Sequence, residues 1–274
     1  MTKKFFLILL IPLLLLSSCS KDYVNDSEGQ IPFPEHSPVL TDGEYFASFE
    51  HGNNEGYRPE MTVTVKEGLI TRVNYREVSL DGKDKISDAE YFEAFKEEHN
   101  LDLQALYLRL YTNLIKNQST NSLPSTGDFP DMRNYFKKLS DSIILSARRG
   151  LTDPSLISMD DIYYETGEYD SNGYNGRISI TYINNVIIDV KYTEMNQNDE
   201  PKEDMVDLNE VYQQHYGMSL GEMFDLYTNQ IIQNNSIASL DSITGATRTQ
   251  EKINSLLDSI RERRFPFEME KADD

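Results

Sequence analysis

The chain has 274 residues, of which 38% are hydrophobic and 11% aromatic, and a formal net charge of −20. That is enough apolar material for two packed domains beyond a targeting segment, while so acidic a surface repels phosphate backbones and argues against nucleic acid as a partner. The one cysteine, Cys19, rules out internal disulfides, cysteine-ligated iron–sulfur clusters and c-type haem attachment. The four histidines (His36, His51, His99, His215) show no metal-ligand spacing, so no metal and no catalytic set is expected.

In chain order, Met1-Thr2-Lys3-Lys4 precedes an unbroken apolar run from Phe5 to Leu16, then Ser17-Ser18-Cys19. A basic start, a short apolar stretch and small residues describe a secretory signal. The run falls short of the about 20 residues that a bilayer-spanning helix needs. Leu16-Ser17-Ser18-Cys19 resembles the bacterial lipobox. That resemblance implies a signal peptide over 1–18, acylation of Cys19 and an extracytoplasmic body held to the membrane by lipid, because two acyl chains suffice for stable anchoring. Residues 19–40 contain prolines and no helical period, and read as a flexible tether.

Beyond the tether the chain repeats itself. Gly56-Tyr57 precedes an alternating strand through Val65, the turn Lys66-Glu67-Gly68 and a second strand from Leu69 to Tyr75. Gly173-Tyr174 likewise precedes a strand through Tyr182, the turn Asn184-Asn185 and a strand from Val186 to Tyr192. The apolar positions have the period of half-buried strands. Helical stretches follow at Leu103 to Asn117 and Leu220 to Asn234, each with a Tyr-Thr-Asn triplet. Each unit closes on an amphipathic helix, carried by Met132, Phe136, Leu139 and Ile143 in the first and by Ile253, Leu256, Leu257 and Ile260 in the second. The expected fold is α+β, with two tandem related domains over 41–150 and 151–274. Each is a short antiparallel sheet with helices packed on it.

Just before the last helix stands Asp241-Ser242-Ile243-Thr244-Gly245-Ala246-Thr247. Glycine there permits a tight turn and close approach, and a helix start offers free N–H groups to a phosphate. The bland alternative is a capping box, Thr247-Arg248-Thr249-Gln250, which any helix could use. The heptad resembles the flavinylation motif of the FMN-binding domain family, which includes a subunit of a sodium-pumping quinone reductase, electron-bifurcation relatives and lipoproteins of extracellular electron transfer. The resemblance implies FMN joined through its phosphate to Thr247 by a separate FMN transferase, with Asp241, Thr244, Gly245 and Ala246 as the rest of the cofactor-binding motif. In the first unit the matching stretch is Thr126-Gly127-Asp128-Phe129. Phenylalanine there cannot form a phosphoester, so no covalent flavin is expected in that half. Tyr174, Tyr192 and Tyr227 are candidates to stack on the flavin ring.

The reading that follows is a membrane-anchored, extracytoplasmic flavoprotein electron carrier rather than a substrate-turning enzyme. Its electrons would come from a membrane oxidoreductase or the quinol pool. A non-redox binding or structural lipoprotein that retains the fold is the alternative, and a lipoprotein whose released signal peptide is a messenger is a third.

Overall fold

A computed structural model describes residues 39–268; the expected signal peptide, the acylation site Cys19 and nearly all of the tether lie outside the described residues. In the first half, β1 (Gly43–Phe49), β2 (Arg58–Lys66) and β3 (Leu69–Val78) form an antiparallel meander, followed by a 3-10 turn (Lys85–Ser87) and three helices, α1 (Ala89–His99), α2 (Leu103–Asn117) and α3 (Pro130–Arg149). The second half repeats the order with β5 (Ile162–Thr166), β6 (Tyr174–Ile183), β7 (Val186–Asn196), a 3-10 turn (Lys202–Asp204), α4 (Val206–Tyr216), α5 (Leu220–Asn234) and α6 (Thr247–Arg263). The fold is α+β, with two sheet-and-helix layers. One departure concerns β4 (Ser155–Ile157), which lies past the first unit's last helix yet pairs parallel with β1. The first sheet therefore runs β3-β2-β1-β4 and is mixed, whereas the second, β5-β6-β7, is purely antiparallel.

The pattern in the residues accounts for both layers. Met61, Val63 and Val65 of β2 and Ile178, Ile180 and Tyr182 of β6 are buried at alternate positions, facing the helices. On α3 and α6 the eight apolar residues read from the sequence are all buried. Both hairpins turn through two residues of positive φ, Glu67-Gly68 and Asn184-Asn185, as tight hairpin turns require. The glutamate is held there by Asp42, whose carboxylate accepts from both turn amides at 3.0 and 2.8 Å. The second helix of each half ends in a left-handed residue, Gln118 or Asn235, whose side chain accepts from the backbone N–H of Ile70 or Ile187 and so ties helix to hairpin.

Each half also encloses an ion pair. Glu77 on β3 is 2% exposed, accepts from the Tyr75 hydroxyl at 2.7 Å and meets Lys85 Nζ at 3.0 Å. Glu194 on β7 is 0% exposed, accepts from Tyr192 at 3.1 Å and meets Lys202 Nζ at 2.7 Å. Burial pushes both carboxyls toward protonation, but the lysines outweigh it and hold them ionised, below the ordinary carboxylate range. Removing one partner of such a pair strands a charge. Lys85→Met is expected to cost roughly 3–5 kcal/mol, and the double variant Glu77→Leu/Lys85→Met markedly less. Urea midpoints of the two variants check this.

Residues 39–268 pack as one compact unit. The halves meet around His51 to Asn54. Tyr163 donates to the Gly52 carbonyl at 2.5 Å, the Asn54 amide donates to Asp161 at 2.8 Å, and Arg263 donates to the Asn54 carbonyl at 3.0 Å. The chain after α6 returns to the end of β1, with Gly52 N–H to Phe265 O at 3.0 Å and Phe267 N–H to Glu50 O at 2.7 Å. A side chain at Gly52 would begin 2.2 Å from the Arg263 carbonyl oxygen, so only glycine fits this crossing. His51 lies in the joint, where burial and then Arg264 hold its pKa down at about 4 against an ordinary 6.5. The folded chain thus keeps this imidazole neutral where the unfolded chain takes up a proton. Its contribution is fully present above about pH 6.5 and is lost as pH falls toward 4; with the group's partial exposure to solvent, the loss is on the order of 1–2 kcal/mol. His51→Asn is expected to remove that part of the acid sensitivity, seen as a smaller fall in urea midpoint between pH 7 and pH 4.5 than in the unsubstituted chain.

Candidate functional site

The loop from Asp241 and the start of α6 meet the β6–β7 hairpin and α4 around a cavity of about 690 Å³, within the range of small-molecule and cofactor sites. Its wall includes Gly245, Ala246 and Thr247 from the heptad. Asp241 and Thr244 are exposed on the same loop but do not line the cavity. The Asp241 backbone N–H is held by the Gln230 side chain at 3.0 Å. Cys19 lies outside the described residues.

Thr247 is exposed and is the first residue of α6. The capping position is Ala246, and no side chain caps the helix; Gln250 instead donates to the Leu240 carbonyl at 2.7 Å. The capping-box alternative is thereby overturned, because Thr247 lies one residue too far into the helix to cap it. An uncapped start leaves amide donors and the positive end of the helix dipole facing the cavity. Gly245, at φ +82°, packs against Tyr216, and a Cβ there would begin 2.3 Å from the ring. The sequence suggested glycine for close approach, and the group approached is this tyrosine.

Behind the loop lies the ionic floor of the site. Lys252 Nζ sits 2.8 Å from Asp170, 2.9 Å from Glu194 and 3.3 Å from the Tyr174 carbonyl, and Thr249 donates to Glu194 at 2.9 Å. Burial raises the Asp170 pKa, but Lys252 and the backbone amides of Tyr174 and Asn172 outweigh it and hold the group at about 2. With Arg248, the lining counts three fixed cations (Lys202, Arg248, Lys252) against two carboxylates (Asp170, Glu194). The surplus is positive in a strongly acidic protein.

Of the three tyrosines proposed to stack on a flavin, only Tyr174 lines the cavity. Tyr192 is packed edge-on against Phe224, its ring 5.0 Å away, and Tyr227 is wholly buried beneath Ala246. Both are core residues and are not available to a ligand. The rings at the cavity are instead Tyr212 and Tyr216, one helical turn apart on α4, a helix with no fully buried residue. A tyrosine pair at that spacing on a helix with no fully buried residue was the missed signal. The Tyr-x-Glu sequence with a lysine eight positions on, present in both repeats, would have pointed to the floor.

The first half contains the counterpart of this cradle. One constant offset relates Tyr57 to Tyr174, Glu77 to Glu194, Lys85 to Lys202 and the starts of all three helices. In that register Pro130, rather than Phe129, occupies the place of Thr247, because one extra residue separates Gly127 from α3. Phe129 corresponds to Ala246, and its ring lies against Phe95 and His99, with centroids at 4.7 and 4.8 Å. Neither residue offers a hydroxyl.

No family model and no curated protein matches the chain. Among solved structures, the CPE2226 protein from Clostridium perfringens is similar at 26% identity, over 44% of this chain and 99% of its own, with a TM-score of 0.42. A Clostridium thermocellum protein solved by solution NMR is similar at 16% identity, over 39% of this chain and 92% of its own, with a TM-score of 0.28.

Gly245→Ala tests the tightness of the site. Positive φ and the Tyr216 ring together are expected to cost about 1–3 kcal/mol in thermal or urea unfolding. Adding Tyr216→Ala is expected to recover the steric part of that loss.

Proposed function

We propose that this chain is a lipid-anchored, extracytoplasmic flavoprotein electron carrier, with FMN esterified through its phosphate to Thr247. The reading rests on one feature: a solvent-exposed threonine hydroxyl at an uncapped helix start, opening on a cavity of about 690 Å³ with a surplus of cations. The residues present fit a flavin nucleotide. The helix amides and Arg248 would meet the phosphodiester, and Tyr174, Tyr212 and Tyr216 offer aromatic faces for a planar ring. Lys252 and Lys202, paired with Glu194 and Asp170, would form a charge-balanced, hydrogen-bonding floor, and Arg248 carries the surplus positive charge. Bound FMN supplies one- and two-electron transfer, and the chain supplies position and electrostatics.

Attachment balances as a transfer from FAD. The Thr247 oxygen forms a bond to the FMN-side phosphorus, the pyrophosphate bond breaks, AMP leaves, and the hydroxyl proton passes to a base of the FMN transferase or to water. Acylation at Cys19 would keep the carrier at the membrane, within reach of an oxidoreductase or the quinol pool, and a covalent bond prevents loss of the cofactor to the exterior. The second reading, a non-redox binding or structural lipoprotein, draws support from the first half, which keeps the hairpin and the Tyr-Glu-Lys network without a hydroxyl at the helix start.

Coexpression with an FMN transferase, followed by denaturation, flavin fluorescence and intact-mass measurement, tests the proposal. The chain and Thr247→Ser are expected to carry an FMN adduct, and Thr247→Ala none. Absence of the adduct on the unsubstituted chain, or its persistence in Thr247→Ala, overturns the assignment.

A further inference from the structure

The two cradles have the same skeleton and opposite charge. Where the second half places Arg248 and Lys252 on the first turns of α6, the first half places Asp131 and Tyr135 at the same positions of α3. Asp170 and Asn172, which line the second cavity, correspond to Asn53 and Glu55. The first cradle is also larger, because it runs on into the joint between the halves as a cleft of about 800 Å³. Across that joint the second half contributes Asp160 and Asp161 together with the rings of Tyr164 and Tyr182.

The electrostatic result is lopsided. The lining holds six carboxylates (Glu55, Glu77, Asp128, Asp131, Asp160, Asp161) and one lysine, Lys85, which Glu77 and Glu55 already share. From outside the lining, Lys138 reaches Asp160 at 3.3 Å. Among the described residues, the Asp161 carboxylate is bonded to the backbone amides of Asn54 and Ile162, both at 2.8 Å, and to no cation. Burial raises its pKa, and Asp131 and Glu55 add to the rise. Tyr135 stands among these carboxylates, and burial followed by Asp161 and Asp131 pushes its own pKa upward. Aromatic rings and unneutralised carboxylates on facing walls are the two elements that recognise alkylammonium groups. A compact divalent ion suits the arrangement less well, since among the described residues no three acidic or imidazole groups converge on one point. The carboxylates are instead spread along a cleft, as an extended ligand with more than one charged centre requires.

We propose that the cleft between the halves is a second binding site, distinct from the Thr247 cavity, for an organic cation carrying amino or alkylammonium groups. Asp131 and Asp161 would supply the charge, and Tyr135 and Tyr164 the ring faces, since Arg264 already covers the Tyr182 ring at 3.9 Å. The duplicated cradle has thus exchanged an anion-seating helix start for a cation-seating one. The site does not depend on flavin.

Calorimetric titration of the intact chain at low ionic strength, with spermidine and separately with choline as probes, tests this. At least one is expected to bind saturably at one site per chain. Asp131→Asn/Asp161→Asn, whose amide oxygen at 161 can still accept from Asn54, is expected to weaken binding by roughly tenfold or more. Tyr135→Lys, which restores the second cradle's charge, is expected to have a comparable effect, and Thr247→Ala none. Circular dichroism confirms that each variant is folded, and Tyr135→Lys serves alone if the double variant is not. The proposal fails if neither probe saturates. It fails equally if folded variants bind as the unsubstituted chain does, since the cations would then be counterions of an acidic surface.

Discussion

Both halves are organised around a carboxylate buried beneath a helical layer and held ionised by a lysine. Glu77 and Glu194 stand at the same place on the last strand of each hairpin, and Lys85 and Lys202 reach them from the 3-10 turn that leads into the helices. A charge in that position must keep a partner, so the turn is pinned to the strand just ahead of the first helix. Lys85 adds contacts with the Tyr57 and Tyr91 rings at 4.9 and 4.8 Å, and Lys202 stands 5.3 Å from the Tyr174 ring. The glycine–tyrosine turn, the hairpin and the helical layer thus meet at one ion pair per half. This pair fixes the floor of each cradle.

With the floor fixed, the difference between the cradles comes from the last helix of each half. Helix α6 starts with threonine and carries Arg248 and Lys252 toward its cavity, and Lys252 reinforces Glu194 from a second side. Helix α3 starts with proline, which removes one amide from the helix start, and places the carboxylate of Asp131 in its first turn. It carries Asp131 and Tyr135 instead, and Phe129 packs on Phe95 and His99 where Ala246 leaves space in the other half. Duplication preserved what holds the fold, and divergence is concentrated where solvent or ligand meets it.

This division explains what could be read from the residues alone. Strand alternation in β2 and β6 and the apolar stripes of α3 and α6 are local patterns with known periods, and they placed the central hairpin of each sheet and its last covering helix, whereas β1, β5, α1 and α4 were not read. The heptad from Asp241 to Thr247 stands out in the sequence because it is contiguous, and its last three residues line the cavity. The position of Thr247 within the helix was not legible, since a capping box and a first-turn threonine share the same letters, and only the backbone at Ala246 separates them. Tyr192 and Tyr227 could not be told from Tyr212 and Tyr216 because ring exposure depends on neighbours distant in sequence, Phe224 and Ala246 among them. Strand β4 was likewise invisible: three residues have no period, and what recruits them is the open edge of β1.

The joint between the halves gives the first half a structural role independent of any ligand. The C-terminal residues beyond α6 pair with the end of β1, and Arg263, on the last turn of that helix, reaches both the Asn54 carbonyl and Glu165. Arg264 lies 3.9 Å from the Tyr182 ring, and Phe267 packs against Phe46 of the first sheet. Helix α6 is therefore fastened at its exit to the first half, while its entry carries Thr247. A three-stranded sheet with two helices and an unanchored third would leave that entry free to shift. Anchoring the exit fixes the helix axis, and with it the direction in which the Thr247 hydroxyl and the neighbouring amides face the cavity.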